Sequence, residues 1–111
     1  MVSEDEILEL ARGLGEGMSE EELTETQGQG QKTLRVFKRE GRIFLVVWEG
    51  MEPLRIEVKC DEKLGKLLRE RYESVLDSKT LGKSGIEVIC SGQLSRDEVV
   101  DLVRLSWSIV V

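Results

Sequence analysis

The 111-residue sequence has no histidine, one proline, two cysteines and few aromatic residues. Without histidine it cannot build a zinc site of mixed cysteine and histidine ligands or a catalytic mechanism that uses imidazole as its base. Cys60 and Cys90 are far apart and form no CxxC pair, so structural zinc is not expected either. We therefore expect no metal or other cofactor.

Long apolar runs are also missing. No segment approaches the roughly 18 or more apolar residues that cross a bilayer. The first residues are acidic, whereas a secretory signal begins with basic residues and continues with apolar ones. The expected location is the cytoplasm, without a membrane partner.

Composition and length indicate one folded domain over residues 1–111, because 40% of the residues are hydrophobic and 34% are charged. The net charge of −6 disfavours nucleic acid unless basic residues cluster. The charge is in fact segregated: the first 25 residues are strongly acidic, and a basic segment follows. Its basic residues are Lys32, Arg35, Lys38, Arg39 and Arg42.

Three segments have helical signatures. Ser3 and Glu6 form a capping-box pair before an apolar stripe that ends near Gly15. Asp61 is a candidate cap for a helix to about Tyr72, and a further capping box of Ser95 and Glu98 precedes a helix to about Val110. Residues 15 to 31 are predicted to form a loop with at most one or two helical turns.

Four segments have strand signatures. Residues 33–37 and 42–48 form a predicted hairpin that turns at Glu40 and Gly41. Residues 54–60 alternate apolar and charged side chains, so Arg55, Glu57 and Lys59 are expected to stay in water. Residues 85–90 alternate again, and residues 74–85 are expected to be irregular. Short connections favour antiparallel pairing, which predicts an α+β sandwich of two layers with four to five strands.

Several short motifs resemble the MmcQ/YjbR family in order and spacing, over roughly residues 34 to 111. The motifs are Val36-Phe37-Lys38, Gly41-Arg42-Ile43-Phe44, Glu57-Val58-Lys59-Cys60-Asp61, Leu68-Arg69-Glu70-Arg71-Tyr72, Lys83 and Ser106-Trp107. The resemblance implies a CyaY-like α+β fold, and members of the family are often described as DNA-binding. The sequence departs from the family pattern after Lys83, where Ser84, Gly85 and Ile86 replace the usual histidine and tryptophan, so no role of that histidine carries over.

The leading functional hypothesis is a small non-enzymatic binding module that meets a nucleic acid or an acidic protein through a basic and aromatic sheet face. Exposed Phe44 or Trp48 would stack on bases. The alternative is that residues 74–85 or the first helix cover both rings as a second small core, the more common fate of large aromatics. The predicted contact residues are Arg35, Lys38, Arg39, Arg42, Lys79, Lys83 and Trp48.

Two other functions compete with this hypothesis. The strand 42–48 is apolar on both faces and could serve a protein partner or a homodimer. Asp5 and Glu9 share a helical face near further carboxylates, which suit hard divalent cations. The MmcQ/YjbR family is structurally related to frataxin-like proteins, so the resemblance also implies weak binding of iron or another divalent cation. Catalysis is not expected, because no acid is paired with a nucleophile and both cysteines fall on apolar strand faces.

Overall fold

The computed structural model describes residues 2–28 and 30–110. In these ranges a six-stranded antiparallel sheet carries three helices on one face, which confirms the predicted two-layer α+β class. The elements are α1 (Glu4–Arg12), β1 (Met18–Gln27), β2 (Gly30–Arg39), β3 (Arg42–Trp48), β4 (Leu54–Lys59), α2 (Glu62–Arg71), β5 (Val75–Ser78), β6 (Gly82–Cys90) and α3 (Arg96–Ile109).

The strand order is β1-β2-β3-β4-β6-β5, with every neighbouring pair antiparallel. The first four strands form a meander, as short connections favour. The chain then crosses the sheet through α2, and β5 occupies the edge beyond β6. The strand predicted at residues 85–90 lies within β6, which pairs with β5 as a hairpin.

Two of these strands were not expected. The loop predicted for residues 15 to 31 is wrong, because Met18–Gln27 pairs along its length with β2. Its sequence is almost entirely polar, and an edge strand of that composition has no apolar alternation to reveal it. Gln29, within the predicted loop, lies outside the described residues. The irregular segment predicted for 74–85 likewise holds the short strand β5 and the start of β6.

The helix boundaries agree with the predictions. The Ser3 hydroxyl accepts a hydrogen bond from the Glu6 backbone N–H at the start of α1. Ser95 and Glu98 form the reciprocal capping box of α3. Asp61 precedes α2, but its side chain makes no capping hydrogen bond, so that part of the prediction is wrong.

The main core lies between the helices and the sheet, where alternation put the apolar side chains of β4 and β6. A bulge modifies this pattern in β3: the β2–β3 register shifts after Phe37, and Phe44 has no partner across the ladder. Phe44 and Leu45 therefore both join the main core, where Phe44 packs edge-on against Trp107 of α3. None of the helices in the described ranges has the length and apolar character needed to cross a membrane.

The opposite face of the sheet is partly buried. Leu34, Val36, Val46 and Trp48 form a second small cluster that is closed to solvent. The prediction that Glu57 stays in water is wrong, because its side chain is 0% exposed. Arg55 and Lys59 remain partly exposed. The sandwich itself is unaffected, because the helix-facing side of β4 is as predicted.

Candidate nucleic-acid interface

The centre of the second sheet face is the buried carboxylate of Glu57, which accepts four hydrogen bonds. Oε1 accepts from the Ser78 hydroxyl at 2.7 Å and from the Thr80 backbone N–H at 2.9 Å. Oε2 accepts from Trp48 Nε1 at 3.0 Å and from the Thr80 hydroxyl at 3.1 Å. These bonds satisfy both oxygens of a charge that burial would otherwise make costly. They also fix the β5–β6 turn against the sheet.

This turn carries the first of the predicted contact residues. Lys79 Nζ lies 5.3 Å from the centre of the Trp48 ring, close enough for a cation–π interaction. Residues 79 and 80 are exposed, so the ammonium group reaches solvent while the ring beneath it does not. The predicted stacking role of Trp48 required exposure, and its ring is 2% exposed. Both rings are covered, as the alternative expected, but only Trp48 lies in the second small cluster, whereas Phe44 lies in the main core.

Lys83 and Lys59 lie near the same turn. Lys83 directly follows the turn at the start of β6, and Lys59 shares the face of Glu57 at the end of β4. Lys59 is paired with Gly85, two residues beyond Lys83. Across the part of the chain that the structure describes, Lys59, Lys79 and Lys83 enter no ion pair with a carboxylate, whereas several other basic residues do.

The remaining predicted contact residues behave differently. Arg35 donates to Glu49 and Glu20, and the Glu49 hydrogen bond is the main reason that the pKa of Arg35 is raised. Lys38 forms an ion pair with Glu21. These two side chains already hold carboxylates, so phosphate would have to displace them.

Arg39 and Arg42 lie on the helix side of the sheet, away from Lys79, which lies over Trp48 on the opposite face. Arg39 donates to the Trp107 backbone carbonyl at 2.8 Å, and its guanidinium carbon lies 4.3 Å from the centre of the Trp107 ring. Arg42 is opposite Arg39 in the ladder and is exposed. The structure thus divides the predicted basic set between the two faces of the sheet, and it brings only Lys79 and Lys83 to one turn.

The acidic and basic segments of the sequence face each other in the β1–β2 hairpin. Glu20 binds both Arg12 and Arg35, and the hydrogen bond from Arg12 is the largest cause of its lowered pKa. Glu21 pairs with Lys38, and Glu22 lies near Arg35. Two of the five basic residues of the basic segment, Arg35 and Lys38, are therefore paired with carboxylates of β1.

A second buried carboxylate lies beside Glu57. Glu87 is directly opposite it on β6 and is 1% exposed. Its Oε2 lies 3.8 Å from Arg55 Nη1, and its Oε1 has no hydrogen-bond partner in the described ranges. Burial raises the pKa of this carboxyl, and the positive charges of Arg55 and Lys79 offset part of the effect.

Sequence reasoning missed this pair of carboxylates, although a signal was present. Ile-Glu-Val occurs twice, at 56–58 and at 86–88. Antiparallel pairing of the two triplets places each isoleucine opposite a valine and the two glutamates opposite each other. The repeated triplet is thus the feature of the sequence that could have indicated two glutamates facing each other across neighbouring strands.

The competing sites also have definite positions. The apolar strand predicted at residues 42–48 is β3, and it is not available to a partner because Phe44 to Trp48 are all buried. The prediction of an interface there is wrong. No group of three or more potential metal ligands is found in the described residues, which include Asp5 and Glu9 of α1. Cys60 and Cys90 are buried free thiols, and burial raises the pKa of Cys90 to about 11.

Comparison with known proteins gives distant relatives. No family model matches the chain, so membership of the MmcQ/YjbR family stays a prediction. The chain is 36% identical over 77 residues to large ribosomal subunit protein bL25 of Cereibacter sphaeroides. It is 35% identical over 77 residues to the bL25 protein of Paracoccus denitrificans. These matches cover 68% of this chain, but it spans just 37% and 36% of the two relatives' own lengths.

A solved structure matches the whole fold more completely. Deinococcus radiodurans protein DR2400, whose domain is described as DUF419, superposes with a TM-score of 0.73. The superposition covers 96% of this chain and 76% of that protein, at 21% sequence identity. At this level of identity the match establishes a shared α+β fold.

Proposed function

We propose that this chain is a non-enzymatic module that binds single-stranded RNA through the lysines beside the β5–β6 turn. The observation that carries the proposal is the position of Lys79, Lys83 and Lys59 near one turn, each without an ion pair among the described residues. Phosphate contacts from such lysines supply affinity without displacing a carboxylate from an ion pair.

Two further observations support RNA as the partner. The relatives named above belong to the large ribosomal subunit, an assembly of RNA and protein. The turn is also held in place by Glu57, so its lysines are presented from a fixed backbone. A rigid turn loses little conformational entropy on binding, which favours affinity. Buried Trp48 means that binding depends on phosphate contacts and not on base stacking, so weak sequence preference is expected.

The non-enzymatic part of the proposal rests on the thiols and on the composition. Cys60 and Cys90 are the strongest nucleophiles available to a chain without histidine, and burial raises the pKa of both. They are therefore protonated near neutral pH and have little reactivity.

Titration of a fluorescently labelled single-stranded RNA at several salt concentrations tests the proposal. We expect affinity to fall steeply with salt, and the double variant Lys79→Gln/Lys83→Gln to flatten the logarithmic slope by about 0.7 for each phosphate that the variant no longer neutralises. The matched control is Lys32→Gln/Lys66→Gln, which removes the same charge from β2 and α2. Salt-independent or undetectable binding would contradict the proposal, and so would equal losses of affinity in both double variants.

A further inference from the structure

The outer surface of α2 and α3 exposes several large apolar side chains. Leu67 is 63% exposed, Ile109 is 43% exposed and Leu105 is 38% exposed. Other strongly exposed leucines, Leu23 and Leu76, lie singly on the edge strands β1 and β5. Isolated exposed leucines are ordinary, but a group on two adjacent helices typifies an interaction surface.

This surface has the shape of a knob beside a hole. The hole is a groove of about 220 Å³ between the two helices, with a largely apolar lining that includes Leu68, Leu102 and Leu105. The knob is Leu67, which projects from the adjoining part of α2 beside Leu64 and Leu68. Because Leu68 borders both, the knob and the hole lie side by side on one face.

The charges around the two features are complementary. Leu67 has Lys63 and Arg71 one helical turn away on either side, with Glu70 also nearby. The rim of the groove carries Glu98 and Asp101. More broadly, α2 has four basic and two acidic side chains, whereas α3 has three acidic and two basic ones.

We infer that this α2–α3 surface binds a second copy of the chain in a two-fold symmetric dimer, with Leu67 of each copy in the groove of the other. A two-fold interface requires one patch to contain both halves of the complementarity, and this patch contains knob and hole as well as basic and acidic sides. A dimer formed by the helices would leave the opposite sheet faces free. The inference is independent of RNA binding.

Sedimentation equilibrium of the full chain between about 1 and about 200 µM tests the inference, because a dimer of micromolar affinity changes mass across that range. We expect the mean mass to rise from monomer towards dimer. Leu67→Glu places a charge in the groove, and we expect it to raise the dissociation constant at least tenfold, as for a central interface residue. Leu105→Glu, which alters the hole, should act in the same direction.

The matched controls are Leu23→Glu and Leu76→Glu, which add the same charge at exposed leucines outside the surface. They should leave the dissociation constant unchanged, and circular dichroism of all four variants should match that of the parent chain. A parent chain that stays monomeric at the highest concentration would overturn the inference, leaving the surface to a different protein. Dimers weakened by the β1 or β5 substitutions and not by Leu67→Glu would also overturn it.

Discussion

The two faces of the sheet bury their residues by different physical means. The helix side is filled by aliphatic and aromatic side chains, whose burial is favourable without any particular partner. The opposite side joins a small apolar cluster to Glu57, whose burial is tolerable because four donors meet its oxygens. The stability of the helix side depends on the volume and shape of its side chains, and that of the opposite side depends on the identity and direction of its hydrogen bonds.

The comparison predicts the largest loss of stability on the helix side. Phe44 is fully buried and contacts Phe37 and Trp107, so Phe44→Ala should lower the free energy of unfolding by about 4 kcal/mol through reduced apolar burial and the resulting cavity. Urea denaturation followed by circular dichroism measures this change. The control is Leu23→Ala at a 45% exposed position, expected to cost less than about 0.5 kcal/mol. If Phe44→Ala lowered the free energy of unfolding less than Glu57→Gln does, the polar face and not the helix side would be the more sensitive of the two.

Glu57→Gln should have the next largest effect, although it scarcely changes the volume. Each carboxylate oxygen accepts from one N–H group that can donate but cannot accept a hydrogen bond. This group is the Thr80 backbone N–H at Oε1 and the Trp48 indole N–H at Oε2. Either orientation of a glutamine amide therefore sets its NH₂ against an N–H group. We expect a loss of about 2 kcal/mol, comparable to leaving a buried donor unsatisfied.

The same denaturation experiment measures the Glu57→Gln effect, with Glu62→Gln on the exposed start of α2 as its control. Trp48 fluorescence should shift as well, since the indole N–H loses its acceptor. If Glu57→Gln were as stable as the parent chain, the polar network would contribute nothing specific and the two faces would be equivalent.

Glu87→Gln should have the smallest effect and the opposite sign. Burial raises the pKa of Glu87 above its ordinary value of 4.5, so the folded state binds this proton more tightly than the unfolded state. The unfavourable contribution is therefore complete above the folded pKa and disappears as pH falls below the unfolded value. At pH 7 we expect Glu87→Gln to gain about 1 kcal/mol, because a buried charge with one distant partner is replaced by a neutral group.

Thermal or urea unfolding of Glu87→Gln and of the parent chain from pH 7 towards pH 4 measures this difference. The gain should shrink as the solution is acidified, while the control Glu52→Gln at an exposed position should show no such trend. A loss of stability at pH 7 would mean that the Arg55 contact outweighs the cost of burial.

How far sequence could predict these regions differs between them. The apolar alternation of 54–60 and 85–90 and the capping pairs at Ser3 and Ser95 are local, so they identified strands and helices directly. The strand at 18–27 could not be identified in this way, because it is held as a strand by backbone hydrogen bonds to β2 and its own side chains have no apolar alternation. The burial of Glu57 depends on Ser78 and Thr80, more than twenty positions away in the chain.

The candidate site divides in the same way. Sequence identified Lys79 and Lys83 as basic residues in a connecting segment, but the segment's fold over Trp48 arises from contacts with Glu57. It also grouped Arg35 and Lys38 with them, whereas the β1–β2 register assigns those side chains to carboxylates of β1. Ion pairing between strands follows from register, which local pattern leaves open.

By itself, then, the sequence determined the fold class, the helix starts and the apolar face of the sheet, because hydrophobic periodicity and capping act between residues a few positions apart. Tertiary structure alone decided that Glu57 and Glu87 would be buried together and that Arg35 and Lys38 would pair with carboxylates of the acidic segment. It also left Leu67 exposed beside a groove. Those outcomes depend on which strands become neighbours and in what register, since a buried charge or an ion pair is stable only when distant parts of the chain supply its partner.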